Sequence, residues 1–134
     1  MIFLDASYFI ARVNETDVHH AHAKEIAHKI DAGEYGIPCT TDHILDESIS
    51  VALRKWGKEK ACSVGKTILN TTHLIITDEH LVLDAWKLFQ KTEQAFSFTD
   101  CLNIVTCTTF DVEHMATFDE EFRKTDIQVV GVEG

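Results

Sequence analysis

Four acidic residues, Asp5, Glu47, Asp100 and Asp119, stand at the edges of apolar stretches and could together do chemistry that none could do alone. Asp100 lies in Phe98-Thr99-Asp100-Cys101-Leu102-Asn103, where Thr99 and Asp100 read as the opening of a helix carrying apolar Cys101, Leu102 and Val105. A carboxylate in a first helical turn is stabilised by unpaired backbone N–H groups and by the helix dipole, which accounts for a single aspartate without any function. Asp5 and Asp119 read as equivalent to each other, each ending a short apolar strand and beginning a helix. If both strands are central and parallel, both carboxylates emerge at one edge of the sheet. Asp100 can lie in the same crevice, and Glu47 can reach in from a flanking helix. Four carboxylates in one cleft repel and raise one another's pKa values unless a positive charge sits between them. A divalent cation resolves that conflict, and oxygen-only ligands select Mg²⁺ or Mn²⁺ over zinc. One such ion activates water and orients a phosphodiester, and a second about 4 Å away steadies the leaving group. The hydroxyls of Ser7 and Thr99 are near enough in sequence to bind a metal-held water or a phosphate oxygen.

Spacing alone leaves the bland alternative open, because with Asp+Glu 22 some acids fall near strand ends by chance. Asp46, Asp84, Asp111, Glu120 and Glu121 read as solvated surface groups, and Asn103 either supports the acids or faces solvent. Other chemistries find less support. There is no recognisable Ser-His-Asp or Cys-His arrangement and no Gly-rich phosphate loop. His19, His20, His22 and His28 cluster in sequence, but without adjacent cysteines or carboxylates at zinc-site spacings they read as helix-packing or exposed residues.

The elements that must carry these acids alternate. Ile2-Phe3-Leu4 predicts a strand and Ala6 to Val13 a helix, followed by a helix from Val18 to about Ala32 with Gly33 beyond its end. Tyr35 to Cys39 predicts a second strand, with Pro38 suited to an edge or a strand start. From about Asp42 to Trp56 the periodicity is helical, with Leu45, Ile49, Ala52, Leu53 and Trp56 as the apolar stripe and Glu47 on its shoulder. Lys58 to about Asn70 predicts another helix, in which Gly65 is unfavourable. His73 to Thr77 predicts a third strand, and Asp78 caps a helix running to about Lys91. The Asp100 helix runs to about Thr109, with Asp100, Asn103 and Cys107 on one line. His114 to Phe118 predicts a fourth strand, a turn of helix covers Glu120 to Arg123, and Ile127 to Val130 is the last strand. Strands separated by helices throughout predict a three-layer α/β/α sandwich with a mainly parallel sheet.

Bulk properties bound the answer. A chain of 134 residues forms one domain, here taken as 1–134. A net charge of −10 and a pI near 5.1 argue against an extended positive face for nucleic acid and leave basic partners or an acidic metal site. Cys39, Cys62, Cys101 and Cys107 include no C-x-x-C pair and read as reduced thiols. No signal peptide or membrane span is evident, so the expected location is cytoplasmic.

Four segments then carry a resemblance: Phe3-Leu4-Asp5-Ala6-Ser7-Tyr8-Phe9-Ile10, Leu45-Asp46-Glu47, Phe96-Ser97-Phe98-Thr99-Asp100-Cys101 and Ala116-Thr117-Phe118-Asp119-Glu120-Glu121-Phe122. In this order they resemble a PIN domain, in particular the small stand-alone ribonuclease toxins of the VapC type. The resemblance implies an α/β/α fold around a five-stranded parallel sheet and Mg²⁺- or Mn²⁺-dependent endoribonuclease activity with one or two ions. It implies that Asp5 and Asp100 are the main metal ligands, that Glu47 holds metal directly or through water, and that Asp119 acts through water or completes a second site. Ser7 and Thr99 match the family's small polar positions. It also implies a small cognate antitoxin, which commonly inserts a segment near the cleft and sometimes brings an Arg toward the acids, and often a homodimer. RNA contact then falls to local cations such as Arg12, Lys55, Lys58, Lys60, Arg123 and Lys124. The competing readings are a PIN ribonuclease of RNA processing that is not a toxin, and a non-catalytic acidic module for a basic protein. A metal-dependent phosphatase on another α/β fold ranks lower, since Asp5-Ala6-Ser7 lacks a second nearby aspartate.

Overall fold

The computed structural model describes residues 1–132. Five strands form one sheet: β1 (Ile2–Leu4), β2 (Pro38–Thr41), β3 (His73–Ile75), β4 (His114–Ala116) and β5 (Gln128–Val130). Their order is β3-β2-β1-β4-β5, and every pairing is parallel. The helices are α1 (Ala6–Val13), α2 (His20–Asp31), α3 (Asp42–Trp56), α4 (Lys58–Thr71), α5 (Glu79–Lys91) and α6 (Phe98–Thr109), with a short 3-10 helix at Glu120–Lys124. The sandwich expected from alternating strands and helices is the one observed.

Central position explains the composition of β1. With neighbours on both edges and helices over it, Ile2 and Phe3 are fully buried and Leu4 nearly so, as expected for a parallel strand covered on both faces. The chain leaves β1 toward β2 and β3, then returns to β4 and β5 on the other side. The order therefore reverses between β1 and β4, and the crevice beyond their carboxyl ends is where open α/β sheets bind ligands.

Several elements differ from the sequence expectation: β3 stops at Ile75 rather than Thr77, and three further differences bear on the site. The second strand begins at Pro38 and runs to Thr41 rather than covering Tyr35 to Cys39. Gly36 adopts φ +78 in the preceding turn, and Pro38, which has no N–H, opens the strand. Thr40 and Thr41 are buried despite their hydroxyls; Thr40 Oγ1 donates to the Leu4 carbonyl at 2.8 Å. In α3 the innermost line is Ile44, Ser48 and Ala52, with Leu45, Ile49 and Trp56 packed at its side and Leu53 47% exposed. Ser48 hid this line because its polar side chain breaks the apolar period. Finally β4 stops at Ala116, so Asp119 does not end a strand as Asp5 does.

Gly65, unfavourable by helix propensity, sits where α3 and α4 pack. A Cβ there would lie 3.0 Å from Ile49 Cδ1, so close approach of the two helices is what it permits. Gly131 follows β5 at φ +125, and a Cβ there would overlap the Thr117 carbonyl oxygen. Gly131→Ala combines backbone strain with a clash and is expected to lower stability by about 2–4 kcal/mol, read as a reduced urea midpoint. An unchanged midpoint would mean that the Thr117–Gly131 contact is looser than described.

Candidate active site

Asp5 is the residue immediately after β1, and it is 8% exposed. It occupies the N-cap position of α1 with extended backbone (φ −84, ψ 160), yet its side chain makes no capping bond. The carboxylate instead collects donors from three elements. Thr117 Oγ1 donates to Oδ2 at 2.7 Å and Ser7 Oγ at 3.2 Å, and Asn103 Nδ2 donates to Oδ1 at 3.3 Å. Because Leu4 pairs with Ala116 and the Asp5 N–H donates to the Ala116 carbonyl, the residue in register with Asp5 is Thr117. The expected equivalence of Asp5 and Asp119 is therefore corrected to Asp5 and Thr117. Thr117 and Ser7 in turn accept the N–H groups of Asp119 and Phe118, which ties the loop after β4 to the start of α1.

Asp100 sits in the first turn of α6, half-buried, where Ser97 and Asp100 form a reciprocal capping box. Its Oδ2 accepts the Ser97 N–H at 2.9 Å, and Oδ1 has no hydrogen-bond donor among the described residues. The local stabilising role and the site-facing role are therefore not exclusive. Asp119 does the same at the 3-10 helix, its Oδ1 accepting the Glu121 N–H at 3.0 Å. Glu47 lies one turn into α3 on the exposed side of the Ile44-Ser48-Ala52 line. Thr99 is half-buried beside Asp100 and is not among the groups that bond Asp5.

The acids feel one another. Burial is the main cause that raises the Asp5 pKa; its hydrogen bonds oppose this, and the Asp100 charge adds to it. Glu47 is raised first by burial and then by Asp5 and Asp100. Asp100 is raised by burial against its Ser97 bonds, and Asp119 and Glu121 raise it further. Asp5, Glu47 and Asp100 thus share one field, and Asp119 extends it through Asp100. Glu121, expected on the solvated surface, joins that field while pairing with Lys124 at 3.0 Å. Among the described residues no base forms a salt bridge with Asp5, Glu47, Asp100 or Asp119.

Uncompensated carboxylates of raised pKa form a donor set that fits a hard divalent cation. As they stand, no three Asp, Glu, His or Cys side chains among the described residues close on a single ion position, which makes this an open acidic crevice rather than a preformed cage.

Besides Thr117, two residues outside the expected set enter the site. Asn103, left open by the sequence, is 1% exposed and joins Asp5 to His43, whose Nε2 is 2.9 Å from Asn103 Oδ1. His43 gave no signal beyond lying four residues before Glu47. The clustered histidines go elsewhere: the His19 ring stacks on Phe118 at 4.4 Å, His22 meets the same ring edge-on, and His20 Nδ1 is 2.8 Å from the Ala11 carbonyl.

A parallel five-stranded sheet with acids gathered at its switch point is the arrangement of a PIN domain. The PIN domain family model matches residues 2–128, and the chain belongs to that family. It is 27% identical over 127 residues to the 23S rRNA-specific endonuclease VapC20 of Mycobacterium tuberculosis, an alignment covering 91% of this chain and 92% of that protein. It is 25% identical over 121 residues to a VapC ribonuclease of Archaeoglobus fulgidus, covering 89% and 77%. The crystal structure of M. tuberculosis VapC20, described as a Sarcin-Ricin loop cleaving toxin, superposes with a TM-score of 0.84 at 21% identity, covering 96% of this chain and 99% of that one. VapBC2 from Rickettsia felis, bound to a promoter DNA fragment, superposes with a TM-score of 0.71 at 14% identity, covering 96% and 97%.

A carboxylate whose folded-state pKa is raised keeps more protons when folded than when unfolded. Stability therefore falls as pH rises from its ordinary value through the raised one. For Glu47 the ordinary value is 4.5. In metal-free buffer at pH 7, Glu47→Gln is expected to unfold on the order of 2 °C above the parent, with the gain fading as pH falls toward that value. A variant that melts at or below the parent at pH 7 would contradict the shared field.

Proposed function

We propose that this chain is a Mg²⁺- or Mn²⁺-dependent endoribonuclease, the toxin half of a pair held in check by a small cognate antitoxin in the cytoplasm. The observation that carries the reading is the shared field of Asp5, Glu47 and Asp100 at the sheet's switch point, with no base in a salt bridge to them among the described residues. Family membership supports nuclease chemistry, and the endonuclease and ribonuclease names of the mycobacterial and archaeal relatives support RNA as substrate. VapBC complexes among the similar solved structures support a protein partner.

In this reading Asp5 and Asp100 are the principal metal ligands, Glu47 binds directly or through water, and Asp119 acts through water or at a second ion. A bound divalent ion supplies an activated water and neutralises charge developing on the phosphodiester oxygens. The chain's own groups set the stage. Thr117 and Ser7 hold one Asp5 oxygen, Asn103 donates to the other, and the Ser97 N–H holds one Asp100 oxygen, so both carboxylates are oriented by the chain itself. Ser7 is an orienting residue rather than a nucleophile, because its hydroxyl is already engaged by Asp5 and the Phe118 N–H. Thr99 is proposed to meet a water or phosphate oxygen at the mouth of the crevice.

The first substrate to try is 23S rRNA, which the mycobacterial relative's name specifies. Asp5→Asn and Asp100→Asn each remove charge with little change of volume, and each is expected to lower the cleavage rate at saturating Mg²⁺ by about 100-fold or more, with the circular dichroism spectrum unchanged. EDTA should abolish the parent's activity and Mn²⁺ restore it. Parent-like cleavage by either variant would overturn the site, and cleavage that survives EDTA would overturn the metal.

A further inference from the structure

We propose that His43 and Asn103 are positioning residues for Asp5, a hydrogen-bonded relay from the start of α3 that presents the Asp5 carboxylate to the divalent cation in one orientation. The inference rests on the metal-dependent reading above and concerns residues that reading does not use.

The direction of the relay is fixed at Asp5. An ionised carboxylate only accepts hydrogen bonds, so Asn103 must turn its amide N–H toward Asp5 Oδ1 and its carbonyl toward His43. The ring nitrogen facing that carbonyl, Nε2, must then carry a hydrogen. At the far end, Thr41 Oγ1 accepts the Ile44 N–H at 3.3 Å and lies 2.7 Å from His43 Nδ1, so its own hydrogen is free to point at that nitrogen. Thr77 Oγ1 lies 3.1 Å from the same nitrogen. Burial holds the imidazole pKa below its ordinary value, which favours the neutral ring; the Asn103 carbonyl facing Nε2 then selects the Nε2–H tautomer. The reverse arrangement would set the Asn103 carbonyl against a buried carboxylate, where repulsion is least screened.

The consequence falls on one atom. Oδ2 of Asp5 is held by Thr117 and Ser7, Asn103 donates to Oδ1, and the Ala6 N–H also bonds the carboxylate. With both oxygens tethered the carboxylate plane is set before an ion arrives, and Oδ1 keeps a lone pair for it. His43 and Glu47 are also one turn apart on α3, so the same relay anchors the helix that carries the third acid.

Three variants and two readouts test this. Long-range ¹⁵N NMR of the parent should show the Nε2–H form of His43 at neutral pH; the Nδ1–H form would overturn the relay without reference to metal. Mn²⁺ titration by calorimetry should show His43→Phe and Asn103→Leu binding about 10–100-fold more weakly than the parent. His43→Gln, which keeps an N–H within reach of Asn103, should recover to within about threefold. Equal weakening of His43→Phe and His43→Gln, or parent-like affinity in all three, would overturn the proposal. If His43→Phe fails to fold, the His43→Gln and Asn103→Leu affinities together with the parent's tautomer decide it. A parent that binds no Mn²⁺ overturns the metal reading and this inference with it, whereas a parent that binds while its variants match it overturns the relay alone.

Discussion

A negative charge held almost out of water at the end of the central strand is what the surrounding structure must accommodate. Asp5 follows a strand that is buried throughout, so its position is set by the sheet and not by its own preference for solvent. Isolated burial of a carboxylate is prohibitive, and hydrogen bonds to a charged group recover about 1.5–3 kcal/mol each. Ser7 from α1, Thr117 from the loop after β4 and Asn103 from α6 supply them. Burial still wins, since the Asp5 pKa stays raised. The remaining deficit is one that a bound cation can remove.

In the proposed function the same deficit reconciles an acidic protein with a polyanionic substrate. With a net charge of −10, long-range steering opposes RNA, and several of the available cations are engaged locally. Lys124 pairs with Glu121, the Lys55 ammonium lies 6.0 Å from the Trp56 ring centre, and Arg12 borders a cavity together with Asp31 and Tyr8. In the proposed function, divalent ions in the crevice would serve both the protein's own acids and the phosphodiester, so one species would relieve two repulsions. Helix capping contributes to this economy. Asp100 and Asp119 each give an oxygen to the N-terminus of their own helix, which orients the side chain.

Alternation of strands and helices, and with it the parallel sheet, was readable because buried strands announce themselves as short apolar runs between helical periods. Readability failed where polar residues occupy buried positions. Thr40 and Thr41 extend β2 beyond the apolar run, and Ser48 occupies the innermost line of α3 where an aliphatic residue was expected. Phe118 misled in the other sense: an aromatic after Met115-Ala116 prolonged the expected strand, whereas its backbone N–H donates to Ser7 and its ring lies against His19.

Residue types and local grammar were set by the sequence alone: four acids beside apolar elements, helix starts at Asp78 and near Asp100, and a chain whose strands had to be parallel. Those features depend on neighbours within a few positions, where capping and periodicity operate. Tertiary structure alone decided which groups meet the central acid. Thr117 and Asn103 reach Asp5 across 112 and 98 positions of chain, and His43 enters through Asn103 across a further 60. Such partners are chosen by strand order and register, which bring Thr117 level with Asp5 once β1 and β4 are paired. No local signal marks a threonine, an asparagine or a histidine for that role.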